Sequence, residues 1–99
     1  MTQPQFNELV HSPVRLRICA LLRPANELEF ATIRDTLQIS DAHLSKNLKL
    51  LSDAGIVQLR KEQRTSNARM RTWVALSAEG STIVDGHLAA LAQIAGGSF

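Results

Sequence analysis

The stretch from Ser40 to Gly55 constrains this chain more than any other part of its sequence. Ser40 is an N-cap residue, able to satisfy free backbone N–H groups at a helix start. Leu44, Leu48 and Leu51 come after it at i, i+4 and i+7, which gives the helix one apolar face. Gly55 then supplies the left-handed position that ends helices cheaply. Upstream, Phe30, Ile33 and Leu37 mark one face of a second short helix that stops at a Gln38-Ile39 turn. Two short helices joined by a tight turn form a helix-turn-helix.

The segment after the third helix is equally informative. Ile56 to Glu62 reads as a strand with Val57 and Leu59 on one face, and Arg69 to Leu76 alternates again through Met70, Thr72, Val74 and Leu76. Gln63 to Ala68 links them, with turn-forming chemistry at Arg64-Thr65-Ser66-Asn67. A hairpin placed directly after the third helix is a wing. Before this unit, Ser12-Pro13 opens a first helix that runs to about Arg23, the Ser12 hydroxyl capping it and Pro13 losing no hydrogen bond at the first helical position. Phe6, Leu9 and Val10 are expected to form a short preceding helix. Ser77 caps a last helix that reaches about Ala95.

The expected fold is therefore mainly α with a small β-hairpin wing, one winged helix-turn-helix domain over 1–99. Its recognition helix lies at about 40–54, its wing at about 56–76, and a long C-terminal dimerisation helix at about 77–95. Such a chain, 99 residues long, buries only a small core, and further burial against a partner is expected. The last helix is apolar over much of its circumference, through Ile83, Val84, Leu88, Leu91 and Ile94. With His87, these residues are the expected dimer interface. Gly80 and Gly86 each cost about 1 kcal/mol relative to alanine inside a helix. They either permit a close backbone approach or only loosen the helix.

With the leucines inward, the outer face of the third helix carries Ala42, His43, Lys46 and Lys49, with Ser45 at its edge. Lysine pairs with phosphate or guanine, serine and histidine hydrogen-bond to base edges, and Ala42 is small enough to touch a thymine methyl. A polar outer face is also what any surface helix shows. Charge distribution separates the two. The net charge is only +2, but residues 60–71 hold five basic side chains against one acidic, whereas residues 1–59 hold six of each. The hairpin's Arg60, Lys61, Arg64, Arg69 and Arg71 therefore flank the same polyanion as the helix. The expected double-stranded DNA site comprises Ser40, Ala42, His43, Ser45, Lys46, Lys49, Arg60, Arg64, Thr65, Ser66, Asn67, Arg69 and Arg71. Asp41 and Asp53 oppose it, Asp41 having a local role at the positive end of the helix dipole.

Other chemistries find little support. The single cysteine, Cys19, excludes an internal disulfide framework and fits a reducing cytoplasm; it reads as a buried apolar residue. His11, His43 and His87 are not spaced as a metal set. There is no membrane-length apolar run, no phosphate-cradling glycine loop and no recognisable catalytic unit, so neither an enzyme nor a cofactor is expected. Trp73, opposite Val74 on the hairpin, reads as packing rather than base stacking.

Taken in order, Phe30-Ala31-Thr32-Ile33, Ser40 through Leu48, Leu51-Ser52-Asp53-Ala54-Gly55-Ile56-Val57, and Arg71-Thr72-Trp73-Val74 leading into Leu76-Ser77-Ala78-Glu79-Gly80 resemble the winged-helix regulators of the MarR and ArsR kind. The likeness spans roughly residues 9–92. It implies a homodimer built from terminal helices, with two recognition helices in successive major grooves of a near-palindromic operator. Relatives often have histidine where Asn47 stands; Asn47 leans inward and either supports the fold or meets a phosphate. The Cys-rich motif of metal-sensing relatives is absent, and a small-molecule effector would have to sit at the dimer interface. The competing reading is a protein-interaction module that docks through the apolar last helix.

Overall fold

The computed structural model describes residues 2–63 and 70–96. Chain order is α1 (Pro13–Leu22), β1 (Leu28–Glu29), α2 (Phe30–Leu37), α3 (Asp41–Asp53), β2 (Val57–Glu62), β3 (Arg71–Leu76) and α4 (Ala78–Ile94). The three strands form one antiparallel sheet in the order β1-β3-β2, with β3 central. This is the expected winged helix. β1 is an addition to it, a two-residue strand pairing Leu28 with Val74 and Glu29 with Trp73.

The termini of α3 explain its fixed placement. Ser40 Oγ accepts the His43 N–H at 3.0 Å. Gln38, at φ 56 and ψ 48, turns the chain sharply out of α2 into this cap. At the far end Gly55 adopts φ 75; its N–H donates to Ser52 O, and the Ile56 N–H reaches back to Leu51 O at 2.9 Å. That pair of bonds is the Schellman arrangement. The first helix is started differently from expectation. Pro13 occupies its first turn, but the Ser12 hydroxyl makes no capping bond; only the Ser12 carbonyl is used, by Leu16 N–H.

The core lies between α1, α2, α3 and one face of the sheet, and joins Ile18, Cys19, Leu22, Ile33, Leu37, Leu44, Leu48, Leu51, Ile56, Val57, Val74 and Val84. Burial of the leucine stripe of α3 is what aims its polar face outward.

Both helical glycines permit close approach. A Cβ on Gly80 would lie 1.9 Å from the Ile56 carbonyl oxygen, and one on Gly86 would lie 3.1 Å from the Gln3 carbonyl. Around Gly80, the Ser77 hydroxyl donates to Gly55 O at 2.6 Å and accepts from Gly80 N–H at 2.8 Å. The end of α3, the root of the wing and the start of α4 are thereby tied at one point.

The expected helix at Phe6, Leu9 and Val10 is not formed. Residues 2–7 run without helical structure along α4, and residues 8–10 make a turn. The Gln5 N–H donates to Gly86 O at 2.8 Å and the Asn7 N–H to His87 Nδ1 at 3.0 Å. These long-range bonds outcompete the local ones a short helix would offer.

Candidate nucleic-acid interface

Ala42, His43, Ser45, Lys46 and Lys49 are all exposed along one side of α3, as their spacing required. Ser40 is exposed too, but its oxygen is engaged in capping. The acidic neighbours are neutralised within the chain. Arg34 forks to Asp35 and Asp41, each at 2.9 Å, and Lys49 Nζ pairs with Asp53 at 3.1 Å. These exposed pairs contribute little stability. Their effect is on the field, since Asp41 no longer presents an uncompensated charge beside the helix.

The strands divide the wing's cations between two faces. Val57, Leu59 and Lys61 stand opposite Leu76, Val74 and Thr72 on the face that packs on the helices. Gln58, Arg60 and Glu62 stand opposite Ala75, Trp73 and Arg71 on the other. Lys61 and Thr72 consequently share a cleft of about 420 Å³ with Ser45, Leu48, Lys49, Ser52 and Asp53 of α3. Arg60 lies on the far face, donating to Glu27 at 2.6 Å and Glu62 at 3.2 Å, with its guanidinium 5.7 Å from the Trp73 ring centre. Arg71 Nε sits 3.8 Å from a Glu29 oxygen on that same side. The structure thus separates Arg60 and Arg71 from the α3 face with which the sequence grouped them. Arg64, Thr65, Ser66, Asn67 and Arg69 lie outside the described residues.

A fold of this topology is shared by many proteins, but the sequence of this one carries a family's pattern as well: the family described as Winged helix DNA-binding domain matches residues 14–95. The chain belongs to that family. The winged helix domain is similar to a transcriptional regulator homologue from Pyrococcus horikoshii OT3, with a TM-score of 0.82, 25% identity, and 92% of this chain and 88% of that one covered. It is also similar to HlyU from Vibrio cholerae N16961, with a TM-score of 0.67, 27% identity, and 85% and 84% covered. An uncharacterized protein of Methanocaldococcus jannaschii is 25% identical over 87 residues, 88% of this chain and 92% of its own. The expected likeness to winged-helix regulators therefore holds.

Behind the exposed face of the winged helix domain, Asn47 is 5% exposed and serves the fold. Its Nδ2 donates to the His43 carbonyl at 2.9 Å, and its Oδ1 accepts from Arg15 Nη1 at 2.8 Å, while Arg15 Nε donates to Leu9 O at 2.6 Å. Arg15 was not anticipated, because nothing local to α1 marks a residue whose partners are a turn and a distant helix. Lys61, counted with the hairpin's cations but left out of the expected site, comes after Val57 and Leu59 at strand spacing, which puts it on the α3 side of the wing.

On α4, the expected interface residues divide. Val84 and His87 are fully buried within the protomer and cannot meet a second copy, which corrects their assignment. Ile83 and Leu88 are half-buried against the core, Leu91 is half-buried, and Ile94 is 72% exposed. At about 100° per residue, Leu91 and Ile94 continue the stripe that Val84 and His87 begin. The stripe outruns the domain that covers it. Cys19 is fully buried in α1, and burial pushes its thiol up to about 11 against the opposing charge of Arg15. Among the described residues no helix is long and apolar enough to cross a membrane.

Proposed function

We propose that this winged helix domain is a sequence-specific transcription regulator that binds double-stranded DNA as a homodimer on a near-palindromic operator. The observation that carries this is the continuous surface formed by the exposed side of α3 and by Lys61 and Thr72 of the wing, beside which the carboxylates are internally paired. Ala42, His43, Ser45 and Lys46 would read base edges, with Lys49, Lys61 and, from the segment that links β2 and β3 in sequence, Arg64, Thr65, Ser66, Asn67 and Arg69 holding phosphates. Arg60 and Arg71, turned to the far face and paired, would support the wing rather than touch DNA. The uncovered end of the α4 stripe supports the dimer, a second copy being the apolar surface of matching length. Occupying adjacent major grooves excludes other proteins from that DNA, so the proposed outcome at a promoter is repression.

Selection of bound duplexes from a random library tests the reading. A twofold-symmetric enriched site is expected, with affinity falling steeply in salt at about 0.9 logarithmic units per phosphate contact. No enriched half-site, or affinity indifferent to salt, would overturn it and favour a module that binds protein through α4.

A further inference from the structure

His87 is 0% exposed in the core face of α4, and its two ring nitrogens are both committed. Nδ1 lies 3.0 Å from the Asn7 N–H, a group that can only donate, so Nδ1 must carry the lone pair and Nε2 the proton. Nε2 lies 3.3 Å from Nδ1 of His11, which must then accept. Phe6 packs on both rings, 4.7 Å from His11 and 4.8 Å from His87 between centroids. There is no place here for one more proton. On His87 Nδ1 it would face the Asn7 N–H, and on His11 Nδ1 it would face the His87 N–H. Either way two donors meet and one bond is lost. A divalent cation between the rings is excluded by the same logic, since metal on Nε2 would move the proton to Nδ1.

The bonds at risk hold the N-terminal segment on α4, and that segment holds α3. Asn7 Oδ1 accepts the Val10 N–H at 2.9 Å and shapes the turn that offers the Leu9 carbonyl to Arg15; Arg15 in turn grips Asn47. We propose that the His11–His87 pair is a proton-sensitive latch, whose opening on acidification frees the N-terminal segment, removes the anchor of Arg15 and weakens DNA binding. The latch rests on the DNA-binding reading and is a regulation of that same site.

Burial and the neighbouring ring act on His87 in the same direction. Burial lowers the His87 pKa below the ordinary 6.5, His11 lowers it further, and Glu8 on the turn opposes them. On α4 itself, Asp85 is taken up by Arg23 at 2.8 Å, and from α1 Arg15 is directed to Leu9 and Asn47. A lowered pKa means that the neutral form is favoured in the folded state. The latch therefore contributes fully above 6.5 and is lost as pH falls below that value through the folded-state pKa.

The test tracks the Asn7 amide and the His87 ring by NMR in the full chain from about pH 8 to about pH 5, the range in which histidine titrates. Affinity for a duplex selected at the upper pH is measured in parallel. The Asn7 amide is expected to leave its hydrogen-bonded position together with His87 protonation. Affinity is expected to fall by up to about tenfold per pH unit below the midpoint, the ceiling for one linked proton. The fall should persist in His43→Gln, which removes the imidazole on the exposed face of α3 and leaves the latch intact. His87→Asn keeps an acceptor for the Asn7 N–H but cannot titrate, and should lose the fall in affinity on acidification. Should it not fold, His11→Asn at the exposed position removes the ring that lowers the His87 pKa and should move the midpoint upward. An unmoved Asn7 amide would overturn the latch, and an opened latch with unchanged affinity would overturn its coupling to α3. Absence of DNA binding at every pH, with the amide titrating as stated, would instead remove the functional reading and with it the regulatory role.

Discussion

Replacing a helical glycine by alanine ordinarily stabilises a helix by about 1 kcal/mol. For Gly80→Ala the sign should reverse. The new Cβ would stand 1.9 Å from the Ile56 carbonyl oxygen, and ordinary contact begins at 3.4 Å, so backbone must separate from backbone. That oxygen also accepts the Ser77 N–H at 3.0 Å, and the Ser77 hydroxyl caps the Gly80 N–H. Separation thus costs a backbone hydrogen bond of about 1 kcal/mol and a cap of about 1 kcal/mol, besides overpacking of about 1–3 kcal/mol. Set against the helix gain, the net loss is about 2–4 kcal/mol. Gly86→Ala is the control. Its Cβ would meet Gln3 O at 3.1 Å, in a chain segment that can yield, so the change should be within about 1 kcal/mol of zero. Urea unfolding monitored by Trp73 fluorescence, with both variants at equal protein concentration, reads the difference. A Gly80→Ala protein as stable as the parent would show that α4 can slide at its root and that Gly80 is not required for the close approach.

Charging the uncovered end of α4 with Leu91→Glu and Ile94→Glu should give a folded monomer by light scattering and circular dichroism, and an unchanged dimer would displace the proposed interface. Lys61→Ala should lower affinity across all sequences and reduce the salt slope by about one unit per lost phosphate contact, while Arg60→Ala should leave that slope unchanged; equal slopes for the two variants would refute the division of the wing's faces. Cys19, with its thiol buried and its pKa at about 11, should resist alkylation of the native protein at neutral pH, and labelling at the rate of the denatured chain would contradict its burial.

The helix-turn-helix was legible because its signals are local. A cap, three leucines and a terminal glycine are read within one stretch, and α3 begins and ends within a residue or two of where they put it. The division of the wing's cations was half legible. Alternation sorts Lys61 from Arg60 and Arg71, but Glu27 and Glu29 join the latter pair only through β1, whose two residues pair with a strand far along the chain. The N-terminus misled for a related reason. Phe6, Leu9 and Val10 have helical spacing, yet the partners that decide their conformation are Gly86 and His87 on α4. The same docking buries His87, so a stripe that looked uniformly available in sequence is covered along its first turns and open at Leu91 and Ile94.

The junction at Ser77, where one hydroxyl touches Gly55 and Gly80 while Ile56 binds the Ser77 backbone, leaves no hinge between the reading helix and the helix proposed to join two copies. A protein built this way carries a fixed ruler. One base pair inserted at the centre of its operator would rotate one half-site by roughly a tenth of a turn relative to the other. Nothing at this junction can unwind to accommodate that rotation, so the strain would fall on the DNA, and operators whose central steps twist easily would tolerate the insertion best.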